Sequence, residues 1–167
     1  MYIGDDAPFE VIDFEVPPAD DQVGGDVIEA ARGVRFSIKK VDVRQNDEKT
    51  IMRLNVQSKV GPLGVDSNGR YANKILFAEL LVWADLNVHT TDWWKKQARF
   101  PWKQFQGALG LDASKATRIN DEFLSGLIGQ EFIADIRKSE IRQKNEDGKY
   151  EGTGAFVNKL DNFKKVI

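Results

Sequence analysis

The sequence of 167 residues contains no cysteine and only one histidine, His89. The lack of cysteine excludes disulfide bonds and thiolate metal sites, and a single histidine cannot build a histidine-rich metal centre. His89 is therefore expected to lie in a loop rather than to act as a general base. These absences predict a protein without a bound metal and without a cofactor.

Long apolar runs are also missing. No stretch approaches the roughly 20 apolar residues that a membrane-spanning helix needs, and the first residues lack the basic and then apolar pattern of a signal peptide. A cytoplasmic protein with a single globular domain and no membrane contact is expected from this pattern and from the chain length.

The motifs that mark common enzyme classes are absent from the sequence. It contains no GxxxxGKS/T phosphate loop, no HExxH metal-binding pair, no GxSxG nucleophile motif and no GxGxxG dinucleotide-binding loop. No enzymatic activity is predicted on this basis. A metal-dependent nuclease that uses scattered Asp and Glu side chains stays open as an alternative.

Charge is divided unevenly along the chain. Of the 24 basic and 26 acidic side chains, residues 1–32 hold one basic and nine acidic ones, which leaves 23 basic and 17 acidic in residues 33–167, a net charge of +6. The overall charge of −2 thus hides an acidic arm before a basic body, and such a body is suited to a polyanionic partner. The nine carboxylates belong to Asp5, Asp6, Glu10, Asp13, Glu15, Asp20, Asp21, Asp26 and Glu29.

Residues 1–32 form the predicted acidic N-terminal arm. The segment MYIGDDAPFEVIDFEVPPADDQVGGD is interrupted by Pro17-Pro18 and Gly24-Gly25 and shows no helical period, so an extended conformation is expected. Within it, FEVIDFEV could add one strand to the edge of a sheet. Residues 33–167 are then predicted to form the folded domain.

Apolar patterns predict five strands in the folded domain. In VRFSIKKVDVR the apolar residues that should face inward stand at even positions up to Phe36 and Ile38 and at odd positions from Val41 onward. This change of parity predicts a bulge at Lys39-Lys40. KILFAELLVWADL is apolar on both faces and is predicted to be a central, buried strand. EFIADIRKSEIRQKN and GAFVNKLDNF are the last two strands. The second strand, EKTIMRLNVQSKV, has an outward face of Arg53, Asn55, Gln57 and Lys59.

The aromatic stretch WWKKQARFPWKQF lies between the third and fourth predicted strands. Pro101 suits the first turn of a helix, and Trp102, Phe105, Ala108 and Leu109 then repeat on one face, which predicts a helix that packs in the core and closes a barrel as its plug. Three strands, a helix and two strands indicate a mainly β fold: a five-stranded OB-fold-like barrel with one helix between strands 3 and 4. An SH3-like barrel or an antiparallel sandwich fits the same strand count.

Three segments of the domain carry a resemblance to a protein family. FPWKQFQGALGLD, FLSGLIGQEFIADIRKSE and GAFVNKLDNF are similar to segments of phage-encoded single-stranded-DNA-binding proteins of the OB-fold kind, which are found among phage recombination and replication genes. The resemblance covers about Gly33 to Phe163. It implies sequence-independent binding of single-stranded DNA in phage replication or recombination, in the cytoplasm of an infected bacterial host, with replication or recombination proteins as further partners. Many bacterial single-strand binders have an acidic C-terminal tip, whereas this chain ends in FKKVI.

Cationic and aromatic side chains are the candidate DNA contacts. Lysine and arginine pair with phosphates, and exposed aromatic rings stack on bases of any sequence. The candidate phosphate contacts are Arg53, Lys59, Arg70, Arg137, Arg142 and Lys144, and the candidate stacking residues are Tyr71, Trp83, Trp93 and Tyr150. Each of these residues can also be explained without a DNA contact, because most exposed lysines and arginines are simply solvated and Trp83 also fits a core position.

A protein-interaction module is the alternative function. In this interpretation the acidic arm or an edge of the barrel binds a replication or defence protein, and DNA is not the main ligand. The FEVIDFEV strand is also suited to exchange between subunits, so a homo-oligomer is an open alternative.

Overall fold

The computed structural model describes residues 27–167 of the chain. Its strands are β1 (Ala31–Gln45), β2 (Ile51–Val60), β3 (Ile75–Ala84), β4 (Glu131–Lys144) and β5 (Tyr150–Lys164). All pairings are antiparallel, and the strands form one open sheet in the order β3-β2-β1-β4-β5, so this part of the protein is mainly β. The predicted strand FEVIDFEV lies outside the described residues.

Three short helices lie between β3 and β4 in the described range: α1 (Asp92–Lys96), α2 (Phe100–Ala108) and α3 (Asp121–Leu127). α2 is the predicted helix. Pro101 lies in its first turn, where the missing N–H leaves no hydrogen bond unmade, and Leu109 follows the last helical residue as the C-cap. α3 begins after Asn120, whose Oδ1 accepts a hydrogen bond from the Phe123 N–H at 2.9 Å. Across residues 27–167 no helix is long and apolar enough to cross a membrane.

A bulge in β1 confirms the predicted change of parity. Phe36 and Ile38 point into the core, and the pairing of β1 with β2 then shifts between Ile38 and Lys40. Lys39 is the additional residue, so Val41 packs against the core beyond the bulge. β1 pairs with β4 before the bulge and with β2 on both sides of it, which places β1 at the centre of the sheet.

Four phenylalanines form the centre of the core. The rings of Phe36 and Phe132 stack at 5.4 Å, and Phe105 from α2 meets Phe132 and Phe163 edge-on at 5.4 and 5.3 Å between ring centroids. Trp102, one turn earlier in α2, is 7% exposed, and Phe105 is fully buried. The predicted packing of Trp102 and Phe105 in the core is therefore confirmed.

β3 differs from its prediction as a central strand buried on both faces. It lies at one edge of the sheet, and buried positions such as Leu76 alternate with exposed positions such as Phe77. Only its C-terminal end is covered on the outer side, where Leu81 packs with Ile51 and with Trp94 of α1. The apolar run therefore belongs to an edge strand that α1 covers in part.

The chain joins the domain before the predicted boundary at Gly33. Ile28 is 1% exposed, its N–H donates to Asn158 Oδ1 at 2.9 Å, and its carbonyl oxygen accepts from Asn158 Nδ2 at 2.7 Å. The Glu29 carboxylate pairs with the Lys138 ammonium at 2.8 Å. The last residues of the predicted arm thus pack against the β4–β5 hairpin as part of the fold.

One carboxylate in β4 ties the start of β1 to the end of β5. Asp135 Oδ1 accepts from the Gly33 N–H and Oδ2 accepts from Asn162 Nδ2, both at 2.9 Å. Asn162 has a positive φ of 55°, a conformation that is uncommon outside glycine, and the hydrogen bond helps to hold it. The hydrogen bond from Asn162, together with that from Gly33, lowers the pKa of Asp135.

Candidate nucleic-acid interface

The outward side of β1, β2 and β3 forms a surface that we call the strand face. Residues paired across neighbouring strands point to the same side of a sheet, so the register defines the rows of this surface. Its rows are Ser37, Lys59 and Ile75; Lys40, Gln57 and Phe77; Asp42, Asn55 and Glu79; and Arg44, Arg53 and Leu81. The strand face thus combines cations from β1 and β2 with apolar and aromatic side chains from β3.

Two of the predicted phosphate contacts, Arg53 and Lys59, lie on the strand face. Both are partly buried, and Arg53 Nε lies 3.5 Å from Glu79 Oε1. The charge of Arg53 is therefore partly balanced by a carboxylate of the same surface. Lys59 lies two rows beyond Asn55, beside the exposed edge of β3.

A cavity of about 530 Å³ lies beside the strand face, where β5 comes alongside β3. Its lining includes Arg44, Asn55, Phe77 and Lys159. Asn55 was predicted to lie on the outward face of β2, but it is only 8% exposed because these neighbours exclude water from it. Among the described residues β3 and β5 form no hydrogen-bonded ladder, so the cavity is a gap between two edges of the open sheet.

The loop between β2 and β3 holds the predicted contacts Arg70 and Tyr71 together. The Arg70 guanidinium lies 4.9 Å from the centroid of the Tyr71 ring, and its Nη2 donates to the Tyr71 hydroxyl at 3.2 Å. Lys74 Nζ lies 5.7 Å from the same centroid. Tyr71 is also packed against the core, so its ring is engaged by protein groups and Arg70 is the exposed member of the pair.

The β4–β5 hairpin carries Arg142, Lys144 and Tyr150, all of them exposed. Lys144 and Tyr150 are paired at the end of the hairpin, where Tyr150 is 65% exposed. Arg137 lies nearer the sheet, with its Nη1 at 2.7 Å from Asp161 Oδ2, and this hydrogen bond raises the pKa of Arg137. Because Asp161 already balances its charge, Arg137 is a weaker candidate for phosphate than Arg142 or Lys144.

Trp93 is an exposed aromatic platform on α1, 53% accessible to solvent. Trp94 supports it edge-on, with 5.1 Å between ring centroids. Trp94 in turn packs on His89, with 4.3 Å between ring centroids, in the loop before α1, and against a buried cluster that contains Ile51 and Leu81. Since Leu81 belongs to the last row of the strand face, the tryptophan pair lies at one end of that surface.

A second cavity, of about 860 Å³, lies between α1, α2, the β1–β2 turn and the connector that follows α2. We call it the basic pocket, because none of the residues that line it is acidic. Trp83, a predicted stacking residue, lines this cavity and is 43% exposed. The cations of the pocket are Lys49, Lys95, Lys96, Arg99, Lys103 and Lys115, and its aromatic side chains are Trp83, Phe100 and Trp102.

Sequence reasoning missed the basic pocket as a site. Its cations come from four separate parts of the chain, and only the fold brings them together. The available signal was the stretch WWKKQARFPWKQF, because all four of its cations line the pocket. That stretch was interpreted mainly as a core helix with an exposed tryptophan.

The predicted contacts do not line a single cavity. Two lie on the strand face (Arg53, Lys59), two in the β2–β3 loop (Arg70, Tyr71), one on α1 (Trp93), one in the basic pocket (Trp83) and four on the β4–β5 hairpin (Arg137, Arg142, Lys144, Tyr150). Residues 27–167 contain no group of three or more His, Asp or Glu side chains placed to hold a metal ion.

Neither a protein-family model nor a curated protein matches the chain. A functional proposal for this protein therefore depends on the chemistry of its surfaces. Three of them combine cations with exposed aromatic rings: the strand face with its tryptophan pair, the basic pocket and the end of the β4–β5 hairpin.

Proposed function

We propose that the protein binds single-stranded DNA independently of sequence, as an OB-fold protein of phage replication or recombination. Strand order supports the fold part of this proposal. An open sheet in the order β3-β2-β1-β4-β5 would become a five-stranded barrel if its edge strands paired, and β5 comes alongside β3. With α2 between β3 and β4, such a barrel has the plan of an OB-fold, whose second and third strands commonly bind oligonucleotides.

The observation that carries the proposal is the exposed ring of Phe77 among cations of the strand face. Phe77 is 50% exposed and is in register with Gln57 and Lys40. A base can stack on this ring while Lys40 and Lys59 contact the neighbouring phosphates. Stacking on an aromatic side chain is worth about 1–3 kcal/mol per base and does not depend on sequence.

The strand face offers a path rather than a pocket for one nucleotide. Phe77 and Leu81 are four residues apart on β3, about 13 Å at the usual rise of a strand. The exposed Trp93 contacts Trp94, which packs against the cluster that contains Leu81. A bound strand would therefore meet one aromatic platform at each end and the cations of β1 and β2 between them. The row of Asp42 and Glu79 interrupts this path, so phosphates are expected on either side of it.

Binding of oligo-dT across a salt series tests the proposal. Each phosphate contact contributes about −0.7 to the slope of log K against log salt, so four or five contacts predict about −3. Phe77→Ala is expected to weaken binding about tenfold or more because stacking is lost. Leu63→Ala, at an exposed apolar position of the β2–β3 loop, is expected to leave it unchanged. No binding at any salt concentration, or equal affinity of the two variants, contradicts the proposal.

A protein-interaction module is the second candidate, and the apolar edge of β3 favours it. Ile75 and Phe77 point to the same side of this edge strand and are 38% and 50% exposed. An exposed apolar edge can receive a strand or an apolar side chain from a replication or defence protein. In that case oligo-dT does not bind, and Phe77→Ala weakens a protein complex whose affinity changes little with salt.

A further inference from the structure

The basic pocket is separated from the strand face by α1. Trp94 packs on the side of the strand face, against Ile51 and Leu81. The neighbouring Lys95 and Lys96 line the basic pocket instead. A ligand in the pocket would therefore contact side chains that a strand on the strand face does not use.

Most of the positive charge in the basic pocket is not paired with a carboxylate of the residues that the structure describes. Within residues 27–167, Lys115 has one partner, Asp112, with Nζ and Oδ2 at 4.0 Å, and no carboxylate pairs with the other five cations of the pocket. Like charges around one cavity repel each other, and apolar walls such as Trp83 and Trp102 weaken the screening by water. An anion in the cavity relieves this repulsion, and an anion with several charges relieves more of it.

The walls of the basic pocket also offer a surface for a planar ring. Trp83 is 43% exposed and Phe100 is 55% exposed, and both line the cavity beside the buried Trp102. An aromatic ligand gains stacking energy on such side chains that a simple inorganic anion does not gain. The cavity of about 860 Å³ is in the size range of small-molecule sites, about 300–1,000 Å³.

The basic pocket is built on fixed elements. Phe105 anchors α2 in the core, and Gln106, 5% exposed, donates from Nε2 to Thr117 Oγ1 at 3.1 Å, which holds the connector against α2. In the β1–β2 turn, Asn46 Oδ1 accepts from the Thr50 N–H at 2.8 Å. These contacts fix the backbone that carries the cations before a ligand arrives, and such preorganisation lowers the entropic cost of binding.

We propose that the basic pocket binds a nucleotide through both its phosphates and its base. The ligand class is an aromatic base that carries two or more neighbouring phosphates. The base lies against Trp83 or Phe100, and the phosphates lie among Lys96, Arg99 and Lys103. A free nucleoside triphosphate and the 5′-phosphorylated end of a DNA strand both have this chemistry; the inference rests on the proposed function for the strand end and is independent of it for the free nucleotide.

Calorimetric titration of the full chain with dTTP, and with short oligo-dT carrying either a 5′-phosphate or a 5′-hydroxyl, tests the inference. The pocket variant combines Lys96→Gln with Arg99→Gln. The control variant combines Arg118→Gln with Lys165→Gln, two exposed cations outside the basic pocket. Both variants lose two positive charges, so any general effect of net charge is the same in both, and all four positions are exposed, so both are expected to melt like the parent.

A loss of about tenfold or more in dTTP affinity in the pocket variant, with the control within about twofold of the parent, supports a free nucleotide as the ligand. A preference for the 5′-phosphorylated oligonucleotide that only the pocket variant loses supports the strand end. The inference is overturned if the two variants have equal affinity for every probe. It is also overturned if the parent neither binds dTTP nor prefers the phosphorylated end.

The variant Phe77→Ala separates this inference from the proposed function. It alters the strand face and is expected to weaken the binding of oligo-dT while leaving the affinity for dTTP unchanged. A parent protein that binds dTTP but no oligo-dT would end the proposed function and leave the nucleotide site standing. If the parent binds oligo-dT and the pocket variant binds every probe like the parent, the nucleotide site is excluded and the proposed function is retained.

Discussion

At the scale of single residues, the aromatic side chains around α2 divide into those that hold the fold and those that face solvent. Phe105 is fully buried against Phe132 and Phe163, so Phe105→Ala is expected to lower the free energy of unfolding by about 3–5 kcal/mol. Trp93→Ala removes a 53% exposed ring and is expected to cost about 1 kcal/mol or less. Urea denaturation measures both values. Similar midpoints for the two variants would show that α2 does not plug the core.

Two glycines in the β2–β3 loop allow a matched comparison. Gly64 and Gly69 both have positive φ, 67° and 83°, so alanine at either position meets a backbone strain of about 1–2 kcal/mol. A Cβ at Gly64 would also clash with the backbone of Arg70, whereas a Cβ at Gly69 would have its nearest contact at 3.9 Å. Thermal melting is expected to show the larger loss for Gly64→Ala. Equal losses would mean that the loop moves away from the clash.

Single residues were predictable where they belonged to a repeated pattern. Trp102 and Phe105 follow the spacing of one helical face, and both are buried as predicted. Ile28 was missed because the short apolar pair Val27-Ile28 after an acidic segment belongs to no repeated pattern, and its partner Asn158 is 130 residues away. Asn55 was missed because alternation predicts the side of the sheet to which a residue points and not what covers that side.

At the scale of elements, the bulge in β1 sets the register of the sheet. Deletion of Lys39 would turn either Phe36 and Ile38 or Val41 away from the core, because side chains in a strand alternate with a period of two. We therefore expect the deletion variant to be unfolded or to melt far below the parent. Lys39→Ala keeps the additional residue and removes only an exposed side chain, so its melting temperature is expected to stay close to that of the parent. A deletion variant that melts like the parent would show that the register is set elsewhere.

Elements were predictable where the local pattern decides them. β4 matches its predicted segment to within one residue, and the bulge in β1 follows from parity alone. β3 was wrongly placed at the centre of the sheet, because an apolar run does not reveal which neighbour covers it. α1 was not predicted, since five residues show no period and Trp94 is held by tertiary contact with Leu81.

At the scale of the whole molecule, the division of charge predicts competition between the arm and DNA. Nine carboxylates in residues 1–32 precede a body with a net charge of +6, and tethered groups act at an effective concentration on the order of millimolar. Because Ile28 is buried and Glu29 pairs with Lys138, the truncation should remove only residues 1–26. The truncated protein is expected to bind oligo-dT more tightly than the full chain, most clearly at low salt, where screening is weakest.

A short and a long oligonucleotide distinguish this competition from contacts between neighbouring copies of the protein. Competition predicts tighter binding of both lengths by the truncated protein. An arm that joins neighbouring copies predicts weaker coverage of the long strand and unchanged affinity for the short one. A truncated protein that binds both lengths like the full chain would exclude both explanations.

The candidate contacts were predictable by residue type but not by arrangement. The net charge of the body and the aromatic residues beside lysine and arginine are visible in the sequence, and they indicate a polyanionic ligand. Their distribution over the strand face, the hairpin and the basic pocket depends on how α1 and the connector pack, which no local pattern encodes. Phe77 was missed for the same reason, because an apolar run does not show that the outer side of β3 is left uncovered at this position.

The Asp135 carboxylate brings the two ends of the folded unit together, since it holds both Gly33 at the start of β1 and Asn162 near the end of β5. Folded units with neighbouring ends usually tolerate circular permutation. A linker of about eight residues reaches about 26 Å and could join Ile167 to Val27.

New termini for such a permutant could be opened in the turn of the β4–β5 hairpin, between Lys144 and Tyr150. The sheet would then keep its strand order, while the free ends would lie beside two of the candidate DNA contacts. A fluorophore attached there would respond directly when a strand reaches the hairpin. The carboxylate that joins the start of β1 to the end of β5 thus offers a route to a labelled permutant that reports on the proposed DNA binding.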